Sequence, residues 1–156
     1  MRIEQVMTKS VATCRPDDSL DAAARIMSER DCGCVPVVES NGSHRLVGMI
    51  TDRDICLAAH KRNLKLRDMR VDEAMSSRIY SCSPGATPAE VEELMRSAQV
   101  RRIPIVDSGQ GLLGMVSLAD LARLAEARKV SERRGVTEHE VTETLAAICQ
   151  PRAAAA

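Results

Sequence analysis

The chain has no Trp and no Phe, and Tyr80 is its single aromatic residue among 156. Its core must therefore come from Val, Ile, Leu, Met and Ala. Stacking of bases on aromatic rings, a common way to hold single-stranded nucleic acid, has almost nothing to work with. Net charge is also missing, since 22 basic residues balance 22 acidic ones. No overall field draws the chain to nucleic acid or to an anionic membrane. Long apolar runs are absent too: none nears the ~20 residues of a membrane span. The opening "MRIEQVMTKSVATC" has neither a long apolar core nor a small-residue cleavage site after one. The expectation is a cytoplasmic protein with no membrane partner and no nucleic-acid partner.

Six cysteines are present: Cys14, Cys32, Cys34, Cys56, Cys82 and Cys149. Without a secretion signal, and with enough apolar residues to fold unstapled, they read as reduced thiols.

What the chain does contain is a repeat. Residues 6–38, "VMTKSVATCRPDDSLDAAARIMSERDCGCVPVV", lie over 74–106, "AMSSRIYSCSPGATPAEVEELMRSAQVRRIPIV". Met7 falls on Met75, Cys14 on Cys82, Pro16 on Pro84, Met27 on Met95, Pro36 on Pro104 and Val38 on Val106. After a turn two residues shorter in the second copy, Gly48, Met49 and Asp54 fall on Gly114, Met115 and Asp120. Nine identities in this order mark a tandem duplication.

Each copy reads strand, helix, strand, strand, helix. A short β-branched run ("SVAT", "RIYS") leads through Pro into a helix with apolar spacing, Leu20, Ala23, Ala24 and Met27 or Val91, Leu94, Met95 and Ala98. The start "TPAE" is well marked, with Thr87 as N-cap, Pro88 first in the helix and Glu90 closing a capping box. Apolar strands "CVPVVE" and "RIPIVD" follow, then a polar turn, then "LVGMIT" and "LLGMVS", which run straight into a second helix. The fold class is α/β, of the α+β type. Two such small halves bury little surface alone, so they are expected to pack sheet to sheet.

The phrases "GMITDRDI" and "GMVSLADL" place Thr51 and Asp54, and Ser117 and Asp120, at cap and third-residue spacing. One reading is a plain capping box with Asp in the place of the commoner Glu. The other is a nucleotide site, in which the helix start draws phosphate and the carboxylate accepts from the two hydroxyls of a ribose diol.

With "VMTKSVATCRPDDSLDAAARIM", "GCVPVV", "LVGMITDRDI" and "RRIPIVDSGQGLLGMVSLADL" on the page, the sequence resembles the tandem CBS-domain family (cystathionine β-synthase domains, the Bateman module), in its small stand-alone bacterial form. The resemblance covers roughly residues 3 to 128. It implies two β-α-β-β-α motifs about a pseudo-twofold axis, at 1–60 and 71–130, a linker at 61–70, and a C-terminal helix and tail at 131–156. It further implies a homodimer. The expected ligand is a regulatory adenosyl nucleotide (AMP, ADP, ATP or S-adenosylmethionine), with no required cofactor, and the regulated protein is unknown. Asp54 and Asp120 match the family's ribose-binding aspartates, and Thr51 and Ser117 its hydroxyls near phosphate or ribose. Thr13, Cys14 and Pro16 are expected opposite Ser117 and Asp120, and Ser81, Cys82 and Ser83 opposite Thr51 and Asp54. Gly33, Cys34 and Val35 line one cleft, and Val100, Arg101 and Arg102 the other. Arg101 and Arg102 stand where relatives carry phosphate-reaching bases, which marks the Ser117/Asp120 cleft for phosphate, because guanidinium suits a pair of phosphate oxygens.

Other clusters point to less. "CGC" at 32–34 puts two thiols one residue apart, on opposite faces of a strand, which is poor zinc geometry. Cys14 and Cys82, at equivalent strand ends facing the clefts, raise a redox-responsive alternative beside small buried hydrophobes. The basic run "HKRNLKLRDMR" reads as a solvated connector. No Ser-His-Asp phrase, Walker loop or paired-His motif is present, so a regulatory binding protein rather than an enzyme is expected. An empty structural dimerisation module is the alternative. Beyond 130, Gly135 is read as a helix break and "TEHE" as a new capping box through Thr137 and Glu140. The helix that follows, with Val141, Leu145 and Ile148 on one face, is expected to pack on the module or, the favoured reading, on a second subunit, and "RAAAA" to fray.

Overall fold

The computed structural model describes residues 1–128 and 137–150. The expected break at Gly135 and the "RAAAA" tail lie outside the described residues. Two compact units form, one from Ser10–Ile79 and Asp107–Leu112, the other from Met1–Lys9, Tyr80–Val106 and Leu113–Ala156. Compactness thus follows a division different from that of the sequence copies, because the lead of each copy packs with the body of the other.

The repeated Met and Gly residues account for that exchange. Gly114 lies against the Met7–Thr8 lead, where Thr8 and Met115 exchange both backbone hydrogen bonds at 2.9 Å. Gly48 lies in the same way against Met75 and Ser76, and Met49 and Ser76 exchange bonds at 3.0 and 2.9 Å. Two of the identities that reveal the duplication, Met on Met and Gly on Gly, are the two sides of one close contact.

In the first unit, α1 (Leu20–Glu29) starts at Ser19, whose hydroxyl accepts from Ala22 N, and it turns Leu20, Ala23 and Met27 inward. Strand β1 (Cys34–Val38) is buried throughout and pairs antiparallel with β2 (Leu46–Thr51), from Cys34 opposite Thr51 to Val38 opposite Leu46. Strand β2 buries alternate residues, Leu46, Gly48 and Ile50, as a sheet with one covered face requires. It passes directly into α2 (Asp52–Arg62), which Asn63 ends in the left-handed conformation at φ 51°. In the second unit α3 (Pro88–Ala98), β3 (Arg102–Val106), β4 (Leu112–Ser117) and α4 (Leu118–Arg128) repeat the pattern, and α5 (Glu138–Ile148) follows. The first core gathers around Leu20, Val35, Ile50 and Met69, and the second around Ile3, Met95, Ile103 and Leu121.

Two expectations need correction. The leading strands "SVAT" and "RIYS" do not form; each shrinks to a single parallel bridge, Cys14 with Val37 and Cys82 with Ile105. Pro two residues later turns the chain away before a ladder can grow. The basic connector is not solvated throughout: Met69 is 1 % exposed, and its carbonyl takes the first helical N–H of α1, from Leu20 at 2.9 Å. Helix α5 packs on α3 and α4 of its own unit. Its covered stripe is Val141, Thr144 and Ile148, with Leu145 turned out at 45 % exposure.

Candidate functional site

Both strand-to-helix junctions carry the same bonded box. At the first, Asp54 Oδ2 accepts from Thr51 N at 2.9 Å and from Thr51 Oγ1 at 2.7 Å, while Asp54 N donates to Thr51 Oγ1 at 3.2 Å. At the second, Asp120 Oδ2 accepts from Ser117 N at 2.7 Å and Ser117 Oγ at 2.6 Å, and Asp120 N donates to Ser117 Oγ at 3.2 Å. The capping reading is therefore correct, and each carboxylate spends only Oδ2 on it. Asp54 Oδ1 has no hydrogen bond among the described residues. Asp120 Oδ1 is ion-paired with Arg123, whose side chain is 70 % exposed. Sequence reasoning passed over Arg123, although its place three residues beyond Asp120 on a helix puts the two side chains together.

A second bond fixes the segment before β1 or β3 against each helix start. The first backbone N–H of α2, from Asp52, donates to Gly33 O at 3.2 Å, and that of α4, from Leu118, donates to Arg101 O at 2.9 Å. Gly33 and Arg101 are equivalent in the repeat. A Cβ on Gly33 would stand 2.9 Å from Asp52 Oδ2, so the bare backbone lets the acidic side chain lie over it. Beside it, Cys34 and Val35 are buried in β1. In the second unit Val100 is half-buried, Arg102 is exposed, and the Arg101 guanidinium lies 3.7 Å from Cys149 Sγ at the end of α5. The residue whose carbonyl meets the helix start is thus cationic in the second unit, with its guanidinium at the end of α5, and is a glycine in the first.

The other expected residues divide by unit. Thr13, Cys14 and Pro16 belong with Thr51 and Asp54, and Ser81, Cys82 and Ser83 with Ser117 and Asp120. The pairings that the resemblance implies join residues of different units. Cys14 is 1 % exposed in the core of its unit, with Sγ 3.9 Å from Pro36 O. Burial, with Asp18 adding, pushes its thiol up to about 12. Cys82 is half-buried; burial and then Glu90 raise it as well. Neither has the depressed pKa of a reactive thiol. Among the described residues no group of three or more His, Cys, Asp or Glu is placed to hold a metal ion, and no helix is long and apolar enough to cross a membrane.

A separate cavity of about 330 Å³ opens between α1 and α2 in the first unit, lined by Ala24, Met27, Asp52, Ile55, Cys56, Ala59 and Leu66. Apart from Asp52 its walls are uncharged, and it is a different place from the Thr51/Asp54 box.

Two copies of one strand–helix unit, each closing the same hydroxyl–carboxylate box, define a tandem CBS module. The chain belongs to the CBS domain family, whose profile matches residues 3–61 and 71–127. It is 38% identical over 122 residues to the CBS domain-containing protein YhcV of Bacillus subtilis, covering 77% of this chain and 82% of that one. It is 32% identical over 150 residues to Hypoxic response protein 1 of Mycobacterium tuberculosis, covering 96% and 95%. Among solved structures, the CBS domain pair of protein MJ0100, in complex with 5-methylthioadenosine and S-adenosyl-L-methionine, superposes with a TM-score of 0.72 at 23% identity, covering 82% of this chain and 98% of that chain. At that identity the likeness is one of fold.

Proposed function

We propose that the chain is a regulatory protein, not an enzyme, and that it binds an adenosyl nucleotide (AMP, ADP, ATP or S-adenosylmethionine) at its two strand-to-helix junctions. The observation that carries this reading is the division of labour within each aspartate. Oδ2 closes the cap, which leaves Oδ1 of Asp54 without a hydrogen bond among the described residues and Oδ1 of Asp120 held only by the exposed Arg123. A carboxylate whose second oxygen is available accepts from a ribose hydroxyl, and the N-terminus of the same helix favours nearby phosphate. A bare cap needs none of this twice over. Thr51 and Ser117 position the carboxylates, Gly33 to Val35 and Val100 to Arg102 line the ligand, and Thr13, Cys14, Pro16, Ser81 and Cys82 complete its surroundings. Arg101 and Arg102 supply the phosphate contacts. The motif boundaries 1–60 and 71–130, a homodimer and an unidentified regulated protein are parts of the same reading. By linkage, that partner must bind the liganded and free forms with different affinity.

Titration calorimetry with AMP, ADP, ATP and S-adenosylmethionine, with nucleotide turnover followed alongside, tests this. The expected result is micromolar binding of at least one ligand without turnover. A folded protein that binds none of the four is an assembly module, and one that converts its nucleotide is an enzyme.

A further inference from the structure

Helix α5 is held on α3 by a seam that carries polar contacts beside apolar ones. The two run side by side in the same sense, with Glu92 and Arg96 on α3, and Gln99 capping its end, meeting Glu140, Thr144 and Ala147 on α5. Arg96 Nη1 donates to Thr144 Oγ1 at 3.3 Å, and Gln99 Nε2 donates to the carbonyls of Ala147 at 3.4 Å and Gln150 at 3.3 Å. Apolar contact comes from Ile148, which is buried in one cluster with Val91 and Met95 of α3, and from Val141, which is partly buried. Glu92 lies in this seam at 2 % exposure, and its Oε1 has no hydrogen-bond partner. A neutral carboxyl tolerates such a place, whereas an ionised one without a partner does not.

We propose that α5 is a proton-controlled clasp: protonated Glu92 keeps it seated on α3, and ionised Glu92 lifts it, releasing Gln99 and Arg101. Burial, and then the like charge of Glu140, push the Glu92 carboxyl up to about 7, with Arg96 opposing. Arg96 cannot cancel the effect, since it is shared with Glu93 at 3.0 Å and with Thr144. The other charges nearby are engaged or solvated. Glu90 closes the cap on Thr87, His139 lies 3.4 Å from Glu143 at the surface, and Glu138 and Arg102 are exposed.

The sign follows from linkage. In the lifted state Glu92 returns to its ordinary value of 4.5, so the seated state holds the extra proton between there and about 7. Closure is strongest below that window, weakens about tenfold per pH unit across it, and is level above it.

Hydrogen exchange on the full chain between about pH 5 and about pH 8, with intrinsic rates divided out, tests the clasp. Protection of α5 amides is expected to fall roughly fortyfold from about pH 5 to about pH 7. In Glu92→Gln it stays level, and α1 amides stay level in both proteins. Glu140→Gln, whose amide keeps the cap on Thr137, moves the midpoint to lower pH. If Glu92→Gln fails to fold, that midpoint shift decides by itself. Protection of α5 that ignores pH, or that changes equally in Glu92→Gln, or an unmoved midpoint in Glu140→Gln overturns the proposal.

Discussion

Asp120 is ion-paired with Arg123 one turn into α4, whereas Asp54, in the same place on α2, has Leu57 at the equivalent position and an unengaged Oδ1. In the proposed reading Arg123 competes with the ribose diol for Asp120. Arg123→Ala is expected to tighten binding at the second junction severalfold. The pair is largely in solvent, so its loss should cost under about 0.5 kcal/mol of stability. Calorimetry and a denaturation curve on the same variant measure both.

Gly33 and Arg101 have the same backbone role at the two helix starts but differ in charge. If Arg101 reaches phosphate, Arg101→Ala lowers ATP affinity by about tenfold or more, since a charge-assisted hydrogen bond contributes about 1.5–3 kcal/mol. Binding of S-adenosylmethionine, which has no phosphate, should change little. An equal loss for both ligands would remove Arg101 from the phosphate site.

At Gly114 an added Cβ would stand 2.6 Å from Thr8 O, a backbone atom already tied to Met115. At Gly48 the nearest atom, also at 2.6 Å, is Met75 Sδ, the far end of a flexible side chain, and Ser76 O is 3.1 Å away. Gly114→Ala is therefore expected to destabilise by about 2 kcal/mol and Gly48→Ala by clearly less, because overpacking against backbone cannot relax by a rotamer change. Urea melts of the two variants compare the costs directly.

Alkylation at neutral pH should find Cys56 and Cys149, which are exposed, well before Cys14. The raised pKa of Cys14 means that almost no thiolate exists until pH nears about 12, so a rise toward alkaline pH within the ordinary range should not wake it. Peptide mass spectrometry after brief iodoacetamide treatment gives the order. Early labelling of Cys14 would revive the redox alternative.

Much of this architecture could be read before any coordinates. Thr51 with Asp54, Ser117 with Asp120, Thr87 with Glu90 and Thr137 with Glu140 all form the boxes that their spacing predicts, because a cap depends only on residues three apart. What stayed hidden depends on distant partners. The bridges of Thr8 to Met115 and Met49 to Ser76 are single contacts with no periodic signal, so the exchange of leads between the copies could not be seen. The same holds for Glu92, which reads as one more charged helix residue until Thr144 and Glu140 cover it. Position 145 looked apolar and inward on α5, but the seam with Arg96 and Gln99 turned the helix so that Thr144 went inside.

The central claim is that Asp54 and Asp120 hold a ribose diol. Calorimetric titration with AMP and with its 2′,3′-dideoxy analogue, on wild type and on Asp54→Ala and Asp120→Ala, tests it most directly. The account predicts that wild type prefers AMP by about tenfold or more, as two hydrogen bonds to a charged acceptor would give, and that at least one variant binds both compounds equally weakly. Equal binding of the two compounds by wild type, or an undiminished preference in both variants, would contradict it and leave the two aspartates as helix caps alone.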